Sequence, residues 1–377
     1  GGGTDSNIGG GGGAGALGYV SSFNLPVEKT IYARIGKGGV NDTTYSETHE
    51  TTFTNQEGKG GDTILYIDGS IAAYVDGGGS GQDGYNDTST RWGGCAGGYS
   101  GTYGPGNISQ MTYTDSESSM GTNYGVSTYG TFTFLGNTNG ASASGSWTNA
   151  PSDIYWRGGT GGGGAGGAGI SHAGSYGSTI LKVDGTNGGA AYTWIDSLEY
   201  AGGGGAGGNG TGGGGGAGNG GAITATSFVD ANAFTTTTAD GGSASVANRG
   251  SGGGGGVNVS TSGSGSDGVV KIAIPKDYIL SVTQIPVGSL EIFTTHQGDP
   301  GISFGGSYLT SYNGIPYTFF YFTDAQAETT TGVTGGGQAN QSNKFFIGTD
   351  PTLTPEQTKA ISKIHGVEML LIGAGGS

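Results

Sequence analysis

Short runs of apolar residues, some alternating with polar ones, recur along the chain and predict β-strands. In the first three quarters of the chain, residues 29–35 and 268–274 carry the clearest strand patterns. Further strands are predicted over residues 278–285, 289–294, 317–323, 344–347 and 367–372. The pattern therefore predicts a mostly β protein.

Two segments of closely similar sequence each predict a strand that ends in a tight turn. Residues 61–69 and 177–185 share Thr-Ile-Leu at their centre and Asp-Gly at their end. Asp-Gly suits the two-residue turn of a β-hairpin, because both residues can adopt a positive φ. Their similarity also predicts an internal duplication.

One α-helix is predicted near the C-terminal end. Thr354 is placed as its N-cap, Pro355 as its first residue, and Gln357 stands where a capping box places Glu or Gln. Gly366, directly after His365, is a typical stop signal. We therefore expect a single short helix that ends at His365.

Glycine blocks separate the strand patterns, since 90 of the 377 residues are glycine. Only Ala, Ser, Thr and Asn interrupt these blocks, and the exclusion of bulky side chains favours packed over flexible segments. Polyproline-II geometry has three residues per turn and leaves every N–H and C=O free to bond sideways. We expect bundled polyglycine-II helices; flexible loops are the alternative. The blocks cover residues 9–15, 77–81, 158–169, 202–221 and 250–256.

Composition restricts both the state of the chain and its partners. Twenty Tyr, 13 Phe and 4 Trp argue against a disordered chain. A net charge of −15 repels nucleic acid and anionic lipid surfaces. No apolar run approaches the roughly 18 residues of a membrane-spanning helix. We expect neither nucleic acid nor membrane insertion.

Side chains that could carry chemistry are sparse. The single cysteine, Cys95, excludes an intramolecular disulfide and is expected to be a small packed residue near Trp92. Asp83 lies in a glycine-rich nonapeptide that weakly resembles a calcium-binding repeat, but such sites need tandem copies, and only residues 262–267 come near a second one. Six sequons are candidates for N-glycosylation, at Asn41, Asn86, Asn107, Asn209, Asn258 and Asn340.

No catalytic constellation is evident in the sequence. The four histidines lack metal-ligand spacing, and no nucleophile motif or phosphate-binding loop with its lysine is present. We therefore expect no enzymatic activity, cofactor or required metal. Aromatic residues beside the glycine blocks either pack as core around the bundle or form a sugar-binding surface. These residues are Tyr99, Tyr103, Tyr124, Tyr129, Trp147, Tyr155 and Trp156.

Four landmarks in a fixed order carry a family resemblance. They are the glycine run at 9–15, Thr-Ile-Tyr-Ala-Arg-Ile-Gly-Lys-Gly-Gly at 30–39, Gly-Gly-Asp-Thr at 60–63 and Ser-Asp-Gly-Val-Val-Lys-Ile-Ala-Ile-Pro at 266–275. With them, residues 1–275 resemble the polyglycine-II modules of bacteriophage tail-fibre adhesins, bacterial surface proteins and the ectodomains of anaplastic-lymphoma-kinase-type receptors. The resemblance implies a bundle of glycine helices with flanking strands, located on a virion or outside the cell.

The family pattern begins with an apolar strand, and here that strand stands at the other end of the chain. No such strand precedes Gly1, whereas an apolar run followed by glycine closes the sequence. We expect this run to be an assembly strand that completes the sheet of a neighbouring unit; chance similarity is the alternative. A start on Gly1 without Met is expected of a processed chain or an excerpt of a longer one. The run consists of Val367, Glu368, Met369, Leu370, Leu371 and Ile372.

Together these observations predict two regions and a structural function. Residues 1–275 form a glycine-rich domain, and residues 276–377 form a β-rich connecting domain with the capped helix and the assembly strand. The predicted function is a subunit or tandem repeat unit of an extracellular fibre or filament, whose partners are copies of itself. The alternative is a phage or bacterial adhesin that binds a glycan or protein receptor on a cell surface.

Overall fold

The described part of the chain is mostly β-structure, and its helical content is one 3₁₀ turn at Ser127–Tyr129. This confirms the predicted mostly β class. The computed structural model describes residues 9–26, 29–40, 44–45, 56–81, 94–98, 103–104, 123–136, 143–144, 155–156, 159–170, 172–173, 185–208, 210–222, 239–257, 261–275, 290–294, 308–312, 315–322, 344–349 and 363–376.

Twenty strands lie within these residues. In chain order they are β1 Leu17–Pro26, β2 Thr30–Arg34, β3 Thr44–Tyr45, β4 Gln56–Glu57, β5 Thr63–Ile67, β6 Ser70–Val75, β7 Tyr103–Gly104, β8 Tyr124–Gly125, β9 Thr133–Leu135, β10 Ala143–Ser144, β11 Tyr155–Trp156, β12 His172–Ala173, β13 Tyr192–Thr193, β14 Glu199–Tyr200, β15 Val269–Pro275, β16 Leu290–Thr294, β17 Tyr308–Tyr312, β18 Ile315–Phe322, β19 Lys344–Thr349 and β20 Lys363–Ile372.

The longer strands form two antiparallel sheets. The first sheet has the order β17-β18-β15-β20-β1-β9, and the second has the order β16-β19-β2-β5-β6-β8. Both sheets therefore contain strands from either side of residue 275. The remaining short strands pair as β10-β12, β11-β7, β13-β14 and β3-β4.

The main hydrophobic core lies between the inner faces of the two sheets. Successive side chains of a strand point to opposite faces, and alternate residues of β15 and β20 enter this core. The first sheet contributes Phe23, Ile272 and Met369, and the second contributes Ile31 and Leu65, all fully buried. The fold is thus a β-sandwich, which we call the sandwich below.

A second apolar cluster covers the outer face of the first sheet. Leu17, Val269 and Leu370 point outward from it, and Trp194 and Tyr200 pack against them. These two aromatic residues belong to the segment 192–200, in which β13 and β14 form a hairpin. The hairpin therefore makes the first sheet buried on both faces, which explains its nearly continuous apolar sequence.

Most strand predictions are confirmed. Strands were expected over 29–35, 268–274, 289–294, 317–323 and 344–347, and each matches β2, β15, β16, β18 or β19 within a few residues. The tight turn at Asp68-Gly69 also joins β5 to β6 as expected, with φ of 48° and 81°. Residues 278–285 and most of the second copy at 177–185 lie outside the described residues.

The end of the predicted helix is wrong. Lys363, Ile364 and His365 belong to β20, and Ile364 pairs with Leu25 of β1. In β20, the backbone groups of this segment pair with β1. This tertiary pairing overrides the local preference for a helix that the sequence signals indicated. The capping residues, from Thr354 to Gln357, lie outside the described residues.

The predicted strand at 367–372 is present, but the prediction that it completes another unit's sheet is wrong. β20 lies between β1 and β15 of its own chain, and Ile372 is paired with both Leu17 and Val269. Because both of its edges are occupied, no second copy can pair with it there. The physical reason is that β1 and β15 of the same chain leave one strand position open between them, and β20 fills it.

Candidate functional site

The glycine segments form a hydrogen-bonded lattice next to the sandwich. In residues 9–16, every third N–H group donates to the same neighbouring segment, with N···O distances of 2.7–3.1 Å. Gly9, Gly12 and Gly15 donate to Gly256, Gly253 and Gly250, Gly11 and Ala14 donate to Thr160 and Gly163, and Gly13 and Ala16 donate to Gly79 and Asp76. The bonds therefore point in three directions in turn.

The carbonyl groups of the same segment accept hydrogen bonds from three further segments. Gly207 and Gly204 donate to Gly9 and Gly12, Gly98 and Cys95 donate to Gly11 and Ala14, and Gly376 and Gly373 donate to Gly13 and Ala16. Residues 9–16 are thus enclosed by six neighbours, three through donors and three through acceptors. Their backbone is satisfied laterally, with no bond inside the segment.

Two more segments are enclosed in the same way. Residues 201–208 bond to the segments at 186–189, 9–12, 218–221, 162–165, 252–255 and 210–213. Residues 250–257 bond to the segments at 202–205, 373–376, 239–242, 9–15, 218–221 and 263–266. The three central segments also contact one another, so they form the middle of a continuous lattice.

At many glycine positions this lattice leaves no room for a side chain larger than hydrogen. A Cβ at Gly11 would lie 2.1 Å from the carbonyl oxygen of Gly204, and one at Gly253 would lie 2.0 Å from that of Gly263. Both positions are buried. Alanine occurs where the lattice meets an apolar cluster: Ala14 and Ala201 contribute to the cluster under the hairpin.

Six glycine segments are continuous with the six central strands of the sandwich. Residues 9–16 lead into β1, and the strands β2, β5, β6, β15 and β20 adjoin glycine segments in the same way. The lattice therefore has one end at the sandwich, the sandwich end, and an opposite end, the far end.

Polar side chains cap lattice N–H groups next to the sandwich. The carboxylate of Asp62 accepts from Gly77 at 2.9 Å, and the hydroxyl of Thr63 accepts from Gly36 at 3.1 Å. Both residues are buried. They belong to the Gly-Gly-Asp-Thr landmark, so this sequence signal has a direct structural role: it satisfies backbone donors where glycine segments become strands.

Long connections begin and end at the far end. Ile170 and Thr186, which flank residues 171–184, bond to Asn187 and Gly159. Gly221 and Ala239 flank residues 223–238. They donate to Gly255 and Val257, which lie near the end of the segment 250–257. The register of the lattice thus places both ends of each connection on the side away from the sandwich.

A buried ion pair lies beneath the hairpin at the sandwich end. The Nζ atom of Lys271 on β15 lies 2.7 Å from Oδ2 of Asp196, and their side chains are 7% and 0% exposed. The hydroxyl of Tyr200 donates to the same oxygen at 2.6 Å, and the amide of Leu198 donates to Oδ1 at 3.0 Å. The guanidinium carbon of Arg249 lies 4.6 Å from the centre of the Tyr200 ring.

This environment shifts both ionisation equilibria. Burial alone would raise the pKa of Asp196, but Lys271, Tyr200 and the amide of Leu198 together hold that pKa below its usual value. Burial lowers the pKa of Lys271, and nearby Arg249 lowers it further, although Asp196 opposes the shift. The amine of Lys271 is therefore closer to its neutral form than an exposed lysine.

Sequence reasoning missed this cluster. Lys271 is the one charged residue in the strand Val-Val-Lys-Ile-Ala-Ile-Pro, and all but the last of these residues are buried. A lysine inside an apolar strand is rarely buried without a partner. That signal could have identified Lys271 as a residue of interest, but not Asp196, which is 75 positions away.

The sequence-predicted site residues fall into separate groups. All six sequon asparagines (Asn41, Asn86, Asn107, Asn209, Asn258 and Asn340) and the calcium candidate Asp83 lie outside the described residues. Cys95 is fully buried, as expected. Tyr129 stacks on Phe23 of the core, and Tyr124 is 46% exposed and stacks on Tyr74.

The described residues contain no group of three or more His, Cys, Asp or Glu side chains that could hold a metal ion. Within the same residues, no helix has the length and apolar character needed to cross a membrane.

Comparison of the chain with protein-family models, with curated proteins and with solved structures found no match. A function must therefore be inferred from the geometry of the chain itself.

Proposed function

We propose that this chain is a non-enzymatic, extracellular adhesin module in which a polyglycine-II bundle holds connecting segments away from a β-sandwich. The observation that carries the proposal is the six-neighbour enclosure of residues 9–16 with a period of three. A period of three matches the three residues per turn of polyproline-II geometry. With a rise of about 3.1 Å per residue, eight such residues would extend about 25 Å.

Rigidity follows from this arrangement. Each central segment is bonded on all sides, and an added Cβ at many of its glycines would clash with a neighbouring backbone. Such a bundle acts as a stiff spacer, because bending it would break many lateral hydrogen bonds at once. A stiff spacer suits a protein that presents connecting segments at a fixed distance from its β-sandwich.

The connections at the far end are the proposed binding region. Residues 171–184 and 223–238 join segments that end there, and residues 223–238 carry Phe228 and Phe234. Aromatic rings provide large contact area and stack on sugar rings. The proposed partner is a cell-surface glycan or glycoprotein, and the net charge of −15 disfavours polyanionic partners.

A structural subunit of a fibre or filament remains the second candidate. Strand exchange through β20 no longer supports it, because β20 is paired on both edges within its own chain. Its remaining support is the stiff lattice itself, a property that a fibre shaft also requires.

Replacement of the connections tests whether those at the far end bind the partner. In one variant, residues 224–237 are replaced by a Gly-Ser segment of equal length, and in another, residues 172–183 are replaced likewise. A matched control replaces residues 246–248, which lie in the loop at the sandwich end. All three variants should melt like the parent, and binding to an array of bacterial and host glycans should be lost in the far-end variants alone.

Two outcomes would contradict the adhesin proposal. Binding that survives both far-end replacements would exclude those connections as the binding region. A parent chain that binds no glycan or cell surface, yet forms ordered filaments by electron microscopy, would instead support the fibre subunit.

A further inference from the structure

The ion pair of Lys271 and Asp196 beneath the hairpin brings an amine and a carboxyl group together in a site closed to water. Lys271 lies on the outer face of β15 between Val269 and Ala273, and Asp196 lies in the hairpin that covers this face. Nζ of Lys271 is 2.7 Å from Oδ2 of Asp196. Since Oδ2 is bonded to Cγ, Nζ lies at most about 3.9 Å from that carbon.

The groups around Asp196 are those that acyl transfer requires. The Leu198 amide donates to Oδ1 at 3.0 Å, where it would stabilise negative charge on that oxygen during attack on Cγ. The Tyr200 hydroxyl donates to Oδ2 at 2.6 Å, where it can assist departure of that oxygen. Fixed positions within a packed core provide the proximity that such a reaction needs.

We propose that Lys271 and Asp196 form an intramolecular isopeptide bond between Nζ and Cγ. A proton first passes from the ammonium to Oδ2, giving a neutral amine and a neutral carboxylic acid. Nζ then attacks Cγ, a second proton moves from nitrogen to Oδ2, and the Cγ–Oδ2 bond breaks. One water molecule leaves, so atoms and charge balance without an oxidant or co-reactant.

The resting pair is ionic, because Lys271, Tyr200 and the amide of Leu198 hold the pKa of Asp196 low, but burial reduces the cost of passing to the neutral pair from which the reaction starts. Desolvation penalises both charged forms, and a buried ion pair gains little net stability over its neutral or apolar equivalents. The lowered pKa of Lys271 has the same origin. Water excluded from the site also cannot hydrolyse the amide once it has formed.

The bond would tie the hairpin to the sheet across a long stretch of sequence. Asp196 and Lys271 are 75 positions apart, and the central glycine segments 201–208 and 250–257 lie between them in the sequence. A covalent link of this kind stabilises chiefly by restricting the unfolded chain, as a disulfide does. The link would keep the hairpin fixed on the sheet. An intramolecular disulfide cannot do this, because the chain has a single cysteine.

Mass spectrometry of the purified full chain tests the proposal. The intact mass after denaturation should be lower than the sequence mass by one water molecule. Trypsin should fail to cleave after Lys271, and a branched peptide should join the segments that contain Lys271 and Asp196. Cleavage after Lys29, whose ion pair with Asp68 is exposed, should proceed normally and serves as an internal control.

Two variants separate the bond from a simple ion pair. Lys271→Arg keeps the positive charge but lacks a nucleophilic amine, so its mass should equal the sequence mass. Asp196→Asn should still form the bond, with loss of ammonia in place of water. A parent chain with the full sequence mass and normal cleavage after Lys271 would overturn the proposal, whether or not either variant folds.

Discussion

Replacing Gly204 by alanine should destabilise the protein far more than a glycine-to-alanine change usually does. The added Cβ would lie 1.8 Å from the carbonyl oxygen of Gly253 and 3.1 Å from the amide nitrogen of Gly12. Ordinary contact begins at 3.4 Å, so Gly253 would have to move by about 1.6 Å. Because the backbone fixes the position of Cβ, the methyl group cannot turn away, and the backbone itself has to move.

The expected cost follows from the hydrogen bonds that such a shift breaks. Gly12 donates to the carbonyl oxygen of Gly253, and the amide of Gly253 donates to Gly376, each at 2.8 Å. A displacement of this size would stretch at least two such bonds beyond bonding range and leave buried donors without partners. Each buried unsatisfied group costs about 1–3 kcal/mol, so the loss of two bonds should lower the free energy of unfolding by about 2–6 kcal/mol.

Gly167 provides a matched control within the same lattice. A Cβ there would meet only the methyl group of Ala190 at 3.4 Å, apart from atoms farther away. Gly167→Ala should therefore be neutral or stabilise by about 0.4–1 kcal/mol, because alanine restricts the unfolded chain. Urea unfolding followed by circular dichroism measures both variants. If Gly204→Ala unfolds within about 0.5 kcal/mol of Gly167→Ala, the close packing described here is incorrect.

Three further changes test the sandwich. Truncation after Gly366 should abolish cooperative unfolding altogether, because it removes the central strand of the first sheet; a truncated chain that melts like the parent would contradict this. Leu371→Ala should cost about 2–5 kcal/mol in urea unfolding, since Leu371 is fully buried in the main core. Burial raises the pKa of Glu368, so this group favours the folded state below its usual pKa of 4.5, and that stability is lost as pH rises through the folded pKa. Glu368→Gln should remove this part of the pH dependence; an unchanged pH profile of unfolding would exclude the effect.

The local sequence predicted where strands lie, but not which strands pair with one another. The pattern around β15 and the Asp-Gly turn are encoded within a few neighbouring residues, and both were predicted correctly. The position of β20 depends on a gap between β1 and β15, which are distant in sequence. No local pattern distinguishes that gap from one in another molecule, so the assembly prediction was wrong.

The candidate site shows the same division. Only small residues interrupt the glycine blocks, and this pattern predicted close packing of the backbone. The clashes that an added Cβ would make with neighbouring backbone atoms agree with it. Which segment contacts which could not be predicted, because glycine segments carry almost no identifying side chains. The pairing of Lys271 with Asp196 was equally hidden, since it depends on the hairpin folding over the sheet.

The repetition of the lattice has a consequence for how the chain folds. Because every third residue of residues 9–16 meets the same neighbour, sliding that segment by three residues would restore equivalent bonds. A run of glycines thus has several registers of similar energy, and nothing within it selects one. The strands of the sandwich do select one, because a shift by an odd number of residues turns their apolar faces outward. We expect the sandwich to act as a template on which the glycine segments align, so that order spreads from the sandwich end towards the far end.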